Sequence, residues 1–187
     1  SVDAAISALD YAVKKGARIS NNSWGGYGYS QALYDAIAAA GSPGHLVVAS
    51  AGNNGLDNDV YPAYPASYDL DNIISVGASD RNDVIAYFSN YGALSVDLLA
   101  PGVSILSTYT GGTYGTLDGT SMSSPHVSGA AALVLAGNPG LSYSALRRMI
   151  LAGSDDIADA QDVTATGGRL NVGNSAGGVG TPVLYFN

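Results

Sequence analysis

No cysteine occurs among the 187 residues, and none of the 15 acidic residues is a glutamate. The first absence removes disulfides, thiol nucleophiles and cysteine-type zinc sites. The second makes any carboxylate chemistry here aspartate chemistry. Charge of either sign is sparse: charged residues make up 12% of the chain, which excludes a highly charged disordered tail. The seven Lys and Arg leave a net charge of −8 that is shared between both halves, so no half is basic. Nucleic acid and anionic membrane surfaces are therefore not expected as partners. No apolar run reaches the roughly 18 residues of a membrane span, and no signal-peptide pattern opens the chain. What is abundant is apolar surface, at 47% hydrophobic residues, together with 25 glycines that fall at turn positions without a strict period. That composition excludes collagen and fits one globular domain with its own core.

Hydrophobic spacing divides the chain into alternating helices and strands. Residues 1–16 read as an amphipathic helix, with Val2, Ile6, Leu9 and Val13 on one stripe and Gly16 as its C-terminal stop. A short strand over 18–22 and a glycine-broken loop follow, and then a helix over 31–40 capped by Ser30. Residues 45–51 form a continuous apolar run, the pattern of a strand buried on both faces of a parallel sheet. A loop rich in Tyr and Pro covers 52–71. Strands are expected at 73–78, 85–89 and 96–100, a Gly- and Thr-rich loop after them, and helices at 120–137 and 143–152, the second capped by Ser142. The first of these two helices should be apolar along Val127, Ala131, Leu133 and Val134. Helices alternating with apolar strands indicate an α/β domain with a parallel sheet. Residues 173–187 read as a Gly-rich C-terminal extension to a unit spanning 1–172.

The sharpest local signal is the string Gly119-Thr120-Ser121-Met122-Ser123-Ser124-Pro125-His126-Val127-Ser128-Gly129. It places a serine where a glycine-led turn enters a helix whose first half is built of small residues. Free backbone N–H groups and the partial positive charge of a helix N-terminus can stabilise an anion forming beside such a serine. A lone serine there is ordinarily a cap. The whole string resembles the nucleophile motif of the subtilisin-like serine proteases, the subtilases, and on that match Ser121 is the attacking residue.

Other segments resemble the same family in the same order. Val47-Val48-Ala49-Ser50-Ala51-Gly52-Asn53 is similar to the strand ending in the oxyanion-hole asparagine, here Asn53. An amide suits that task because its NH₂ donates without titrating, although Asn53-Asn54-Gly55 taken alone is also an ordinary turn. Asn22-Ser23-Trp24-Gly25-Gly26 resembles the substrate-binding edge, where the backbone of Ser23, Trp24 and Gly25 pairs with an extended peptide. As the only tryptophan, Trp24 has a core anchor as its alternative reading. Tyr64-Pro65-Ala66-Ser67 resembles the loop flanking the primary pocket, with Pro65 a candidate cis proline. The resemblance implies pocket walls at Ala51 and Gly52 and a floor near Ala63 or Ala66. With no carboxylate on that floor, apolar or aromatic substrate side chains are expected, unless Asp57 and Asp59 favour basic ones. Tyr27, Tyr29, Tyr61 and Tyr109 are candidates for the extended cleft.

The resemblance also implies a three-layer subtilisin-like fold, secretion, no cofactor for catalysis, and structural calcium with Asp97 and carbonyls near Ala66–Tyr68 as oxygen ligands. Such a protease needs a histidine base oriented by an aspartate, and neither of the two histidines fits. His126 lies five residues past Ser121 on one helix, roughly 140° around it, and is expected to point into packing. His45 lies on the order of 25 Å of extended chain from Asn53. The family's aspartate and His-Gly-Thr motifs, which precede residue 1 in family order, are absent. The expectation is a chain equivalent to the last two thirds of a catalytic domain, lacking its N-terminal strands, with residues 18–22 as a bare sheet edge. Its expected partners are an N-terminal segment supplying the Asp and His, a peptide or protein substrate, and a propeptide or inhibitor. The alternative is an inactive subtilase-like fragment that binds peptides or partners. A peptide ligase using the same acyl-enzyme would need water-shielding insertions, and the sequence offers none.

Overall fold

The computed structural model describes residues 1–177. Helix α1 (Val2–Lys14) starts with the Ser1 hydroxyl accepting from the Ala4 N–H and stops at Gly16, whose φ of +83° is the left-handed turn that favours glycine. Strand β1 (Ile19–Asn22) follows, then α2 (Gln31–Gly41), capped by Ser30 accepting from the Leu33 N–H. Next come β2 (Leu46–Ser50), β3 (Ile73–Ser79) and β4 (Leu98–Pro101). A hairpin of β5 (Ile105–Tyr109) and β6 (Thr113–Leu117) leads into α3 (Thr120–Gly137) and α4 (Tyr143–Ala152). The two-residue strands β7 (Asp155–Asp156) and β8 (Gly168–Arg169) and the short α5 (Val172–Ser175) complete the described elements.

Six strands form one sheet in the order β1-β2-β3-β4-β8-β7. The first five run parallel, and β7 pairs antiparallel with β8. Alternate side chains of each strand enter opposite cores. On one face Leu46, Val48, Ile74, Val76, Leu98 and Ala100 pack under α3 and α4. On the other, Val47, Ala49 and Ile73 meet Leu33 and Ile37 of α2, with Ile6 and Leu9 of α1 beside them. The result is three layers, helices over a largely parallel sheet over helices. Each fully buried Val, Leu or Ile contributes about 1.5–3 kcal/mol, more than the ~1 kcal/mol net of one hydrogen bond. Packing on both faces therefore fixes where the strands end and where their loops emerge.

Strand β1 lies at one end of the sheet order, with β2 as its only partner among the described residues. Four sequence expectations change. Residues 85–89 are not a strand: Ile85 makes a single antiparallel bridge to Ser79 and the chain then turns. The Gly- and Thr-rich loop is the β5–β6 hairpin, closed through Gly111 and Gly112 at φ +76° and +73°, the left-handed backbone that favours glycine. Leu133 is 37% exposed, and the buried stripe of α3 runs through Val127, Ala130, Ala131 and Val134. The β7 edge makes the sheet mixed, not purely parallel. Of the proposed extension 173–187, residues 173–175 belong to α5, and residues 178–187 lie outside the described region.

Candidate active site

Helix α3 begins at a crowded point. Gly119, at φ +147°, precedes it without a side-chain cap, and its N–H donates to Gly102 O at 2.8 Å. Gly102 has no room for a side chain: a Cβ would meet Ser123 Oγ, Ala78 Cβ at 2.7 Å and Gly119 O at 2.9 Å. The first half of the helix then runs close against the sheet because its residues are small. Ser124 Oγ donates to Asn21 Oδ1 at 2.8 Å and lies 3.4 Å from Val48 O. Ser121, the second helical residue, is half-buried at the mouth of this junction. Its hydroxyl donates to Ser23 O at 3.3 Å, and Ser23 Oγ donates back to Ser121 O at 2.8 Å. The long first bond leaves Ser121 Oγ weakly held. The Ser121 N–H, in the first turn, has no intrahelical acceptor.

Asn53 lies two residues beyond the turn that ends β2 and reaches the same point. Its Oδ1 accepts from Thr120 N at 2.8 Å and Thr120 Oγ1 at 2.9 Å, while Thr120 Oγ1 accepts from Gly52 N at 3.2 Å. Two donors on Oδ1 fix which way the amide faces. Its NH₂ makes no hydrogen bond among the described residues, and Asn53 lines the same cleft as Ser121. Thr120 is fully buried, so this tether is shielded from water. No sequence argument singled out Thr120, though it stands inside the motif.

Between these groups opens a cleft of about 200 Å³ lined by Trp24, Gly25, Ala51, Gly52, Asn53 and Ala63, with Ser121 at its rim and Tyr27 and Asn54 across it. Trp24 is 41% exposed and lines this cleft, so it is not a core anchor. Gly26 pairs with Tyr64 through two backbone hydrogen bonds of 2.9 and 2.7 Å, which brings the Tyr64-Pro65 loop, joined by a cis bond, against the cleft edge. A second, more apolar hollow of about 620 Å³ adjoins it, bounded by Trp24, Gly25, Leu33, Tyr64 and the start of α1.

Ala66 does not line the cleft. It is buried in the α2-side core beside Tyr68, and Ala63 alone of the two expected floor residues faces Ser121. Asp57 and Asp59 are also elsewhere: Asp59 accepts from the N–H groups of Leu94 and Ser95 and from Ser95 Oγ, and Asp57 accepts from Asp59 N. Asp59 anchors its loop to residues 94–95, and Asp57 closes a turn within its own loop. Among the tyrosines, Tyr27 lines the cleft, Tyr29 packs in an aromatic cluster with Tyr34, Tyr64 and Tyr68, and Tyr61 and Tyr109 line neither hollow.

A serine in the first turn of a helix and an amide held through its oxygen line one cleft, which brings together residue types that nucleophilic acyl transfer uses. The profile of the Peptidase S8 subtilase family matches residues 1–174. The chain belongs to the subtilase family. It is 43% identical to Subtilisin DY of Bacillus licheniformis over 158 residues, 84% of this chain and 57% of that protein. It is 45% identical to Subtilisin Savinase of Lederbergia lenta over 147 residues, 79% of this chain and 52% of that protein. Among solved structures, a cold-adapted subtilisin-like serine proteinase superposes with a TM-score of 0.77 at 34% identity, covering 91% of this chain and 60% of that one. The prenylagaramide maturation protease PagA gives 0.83 at 29% identity, with 95% and 67% covered. The chain thus spans about half the length of the curated subtilisins it matches.

Neither histidine of this subtilase chain bonds the Ser121 hydroxyl. His126 does not point into packing as expected: it is exposed, and its Nδ1–H donates to Met122 O at 2.8 Å one turn back along α3. His45 is buried at the opposite end of β2 from Asn53, bonded through Nδ1 to Ala17 O at 2.7 Å and through Nε2 to Ser20 Oγ at 2.9 Å. Burial pushes its pKa down from the ordinary histidine value, against the hydrogen bond to Ala17.

Asp97 does not offer a cation a free carboxylate. Its Oδ1 pairs with Arg147 Nη2 at 2.6 Å and its Oδ2 accepts from Ser75 N at 2.8 Å. Burial pushes its pKa up, partly offset by Arg147 and the Ser75 N–H. Arg147 also donates from Nε to Ile73 O at 2.8 Å, so its guanidinium fills the position beside Asp97. The residues present do not fit a calcium ligated by Asp97. Among the described residues no group of three or more His, Cys, Asp or Glu could hold a metal, and no helix is long and apolar enough to cross a membrane.

Proposed function

We propose that this chain supplies the nucleophile, oxyanion hole and substrate cleft of a secreted serine endopeptidase. The observation that supports this is the Asn53 amide: Thr120 donates twice to its oxygen, which leaves its NH₂ without a partner among the described residues, and Asn53 lines the same cleft as Ser121. A peptide lies against the backbone of Ser23–Gly25 as an added strand. Ser121 Oγ attacks the scissile carbonyl, and the developing oxyanion meets Asn53 Nδ2 and the Ser121 N–H. The base takes the Ser121 proton and passes it to the nitrogen as the C–N bond breaks and the amine product leaves; water then hydrolyses the acyl-enzyme, releasing the acid product and restoring the Ser121 hydroxyl. Subtilase catalysis involves no cofactor. The walls at Ala51, Gly52 and Ala63 carry no charge, which favours an apolar or aromatic side chain at the cleavage position.

The base and its orienting aspartate come from an N-terminal segment outside this sequence. That segment adds to the β1 edge, whose outer N–H and C=O groups have no strand partner among the described residues. Residues 1–172 form the C-terminal part of the catalytic domain and 173–187 an extension to it. A propeptide or proteinaceous inhibitor occupies the same backbone edge as substrate. The experiment is fluorophosphonate labelling and hydrolysis of an aromatic peptide anilide by the whole protein that carries this chain. Ser121→Ala should abolish both and leave the melting temperature unchanged. The expected loss is about 10⁶-fold, a figure that comes from subtilisin itself. Retained labelling in Ser121→Ala overturns the assignment. A second reading, a peptide-binding subtilase without turnover, is favoured by the absence of any histidine on Ser121 Oγ among the described residues; it predicts peptide binding with no labelling at all.

A further inference from the structure

Asn90 is fully buried and does not line the cleft, yet three of the four hydrogen bonds of its side chain go to the loop that carries Asn53. Its Oδ1 accepts from Asn54 N at 2.9 Å and Leu56 N at 3.2 Å. Its Nδ2 donates to Asn58 Oδ1 at 2.9 Å, with Tyr27 Oη a longer partner at 3.4 Å. Asn58, also buried, passes the contact on by donating from Nδ2 to Ala51 O at 2.9 Å. The Asn90 backbone N–H donates to Gly52 O at 2.9 Å. The loop is thus gripped at Ala51 and Gly52 before Asn53, and at Asn54 and Leu56 after it. Gly52 permits this close approach: at φ +116°, a Cβ there would lie 2.5 Å from Asn90 Nδ2.

Thr120 alone does not determine where the Asn53 amide sits. Its two bonds fix the oxygen end of that side chain; the backbone end depends on a turn with no regular secondary structure. We infer that Asn90 is the positioning residue of the oxyanion hole, acting through the 51–56 loop to hold Asn53 Nδ2 at the place where negative charge develops. The inference rests on the protease reading of this site for its kinetic consequence, but not for its geometric one. A buried amide with two acceptor and two donor contacts satisfied is costly to replace. A donor displaced by about 1 Å is enough to lose up to ~100-fold in rate.

The test is a double-mutant cycle in the whole protein, with Asn90→Ala and Asn53→Ala made singly and together and kcat and KM measured on a peptide anilide. Asn90→Ala should lower kcat about tenfold or more with KM within about twofold, and should add less than about twofold when Asn53 is already Ala. Equal losses in both backgrounds, or a change confined to KM, overturn the inference and leave Asn90 as a general structural residue. If Asn90→Ala does not fold, Asn90→Ser, which keeps a hydroxyl in the same space, carries the same cycle. Crystal structures of the unaltered and Asn90 variant proteins give a second readout that needs no turnover. Displacement of the Asn53 amide from Thr120 supports the inference, and an unmoved Asn53 overturns it. Absence of any Ser121-dependent hydrolysis in the unaltered protein refutes the protease reading alone; the structural comparison then decides the role of Asn90.

Discussion

Replacing Arg147 by methionine tests whether the Asp97 ion pair, in place of a bound cation, ties α4 to the sheet. Arg147 Nη2 lies 2.6 Å from Asp97 Oδ1 and its Nε donates to Ile73 O at 2.8 Å, so one side chain joins α4 to the residue that leads into β4 and to the start of β3. The two side chains are 28% and 13% exposed. Methionine keeps most of the aliphatic stem but leaves Asp97 with a mostly buried charge and only the Ser75 N–H and whatever water enters. Removing one partner of a buried pair costs about 3–5 kcal/mol. The partial exposure here puts the expectation at the lower end, about 3 kcal/mol, or roughly 6–12 °C in Tm for a domain of this size. The deficit should depend on pH. Without Arg147 the Asp97 carboxyl moves further above 3.8 in the folded state only. The folded protein then binds the proton more readily than the unfolded one, and the loss shrinks as the pH falls through that range. Thermal melts of the unaltered protein, Arg147→Met, Asp97→Asn and the double variant would measure this, with calcium added or chelated. A loss under about 1 kcal/mol would refute the reasoning, as would a double variant no better than the sum of the singles. Stabilisation by calcium that disappears in Asp97→Asn but persists in Arg147→Met would restore Asp97 as a cation ligand.

Three other outcomes follow from the site and its supports. Asn53→Leu should lower kcat by about 10²–10³ with little change in KM, a magnitude known from subtilisin itself; a dominant rise in KM would point to substrate binding instead. Gly102→Ala should destabilise by about 1–3 kcal/mol and lower kcat as well, because its Cβ would enter the space of Ala78, Ser123 and Gly119 at the start of α3; chemical denaturation and turnover together check it. His45, whose pKa burial pushes down in the folded state, should make stability fall as pH drops below the ordinary histidine value, because the unfolded chain takes up a proton that the folded one resists. Its ring is bonded to Ala17 O and Ser20 Oγ, and the neighbouring Arg18, whose Nε donates to Gly44 O, adds a further positive charge. In His45→Gln the slope of Tm against pH between about 5 and 7 should flatten.

Much of this protein is written locally. The helix at 120–137, the buried strands near 46–50 and 73–79 and the serine helix caps follow from periodicity and from the free N–H groups of a helix start, which act over a few residues. The Ser121 motif and the Asn53 strand are legible for the same reason, since each is a run of consecutive residues. Where the reading failed, the deciding contact lay far along the chain. Residues 85–89 have the composition of a strand but find only Ser79 to pair with, while 105–117 pair with each other across a Gly-Gly turn that their threonines and glycines obscured. Asp59 was a plausible substrate carboxylate until its partners proved to be Leu94 and Ser95, and Asp97 a plausible metal ligand until Arg147, 50 residues on, proved to hold it. The sequence by itself determined which residues can do chemistry, because backbone propensity and side-chain type are local properties. Only the tertiary structure decided which way the Asn53 amide faces and what holds its loop, because Thr120 and Asn90 are 67 residues ahead of it and 36 residues from its neighbour Asn54 in the chain, and only packing brings them together.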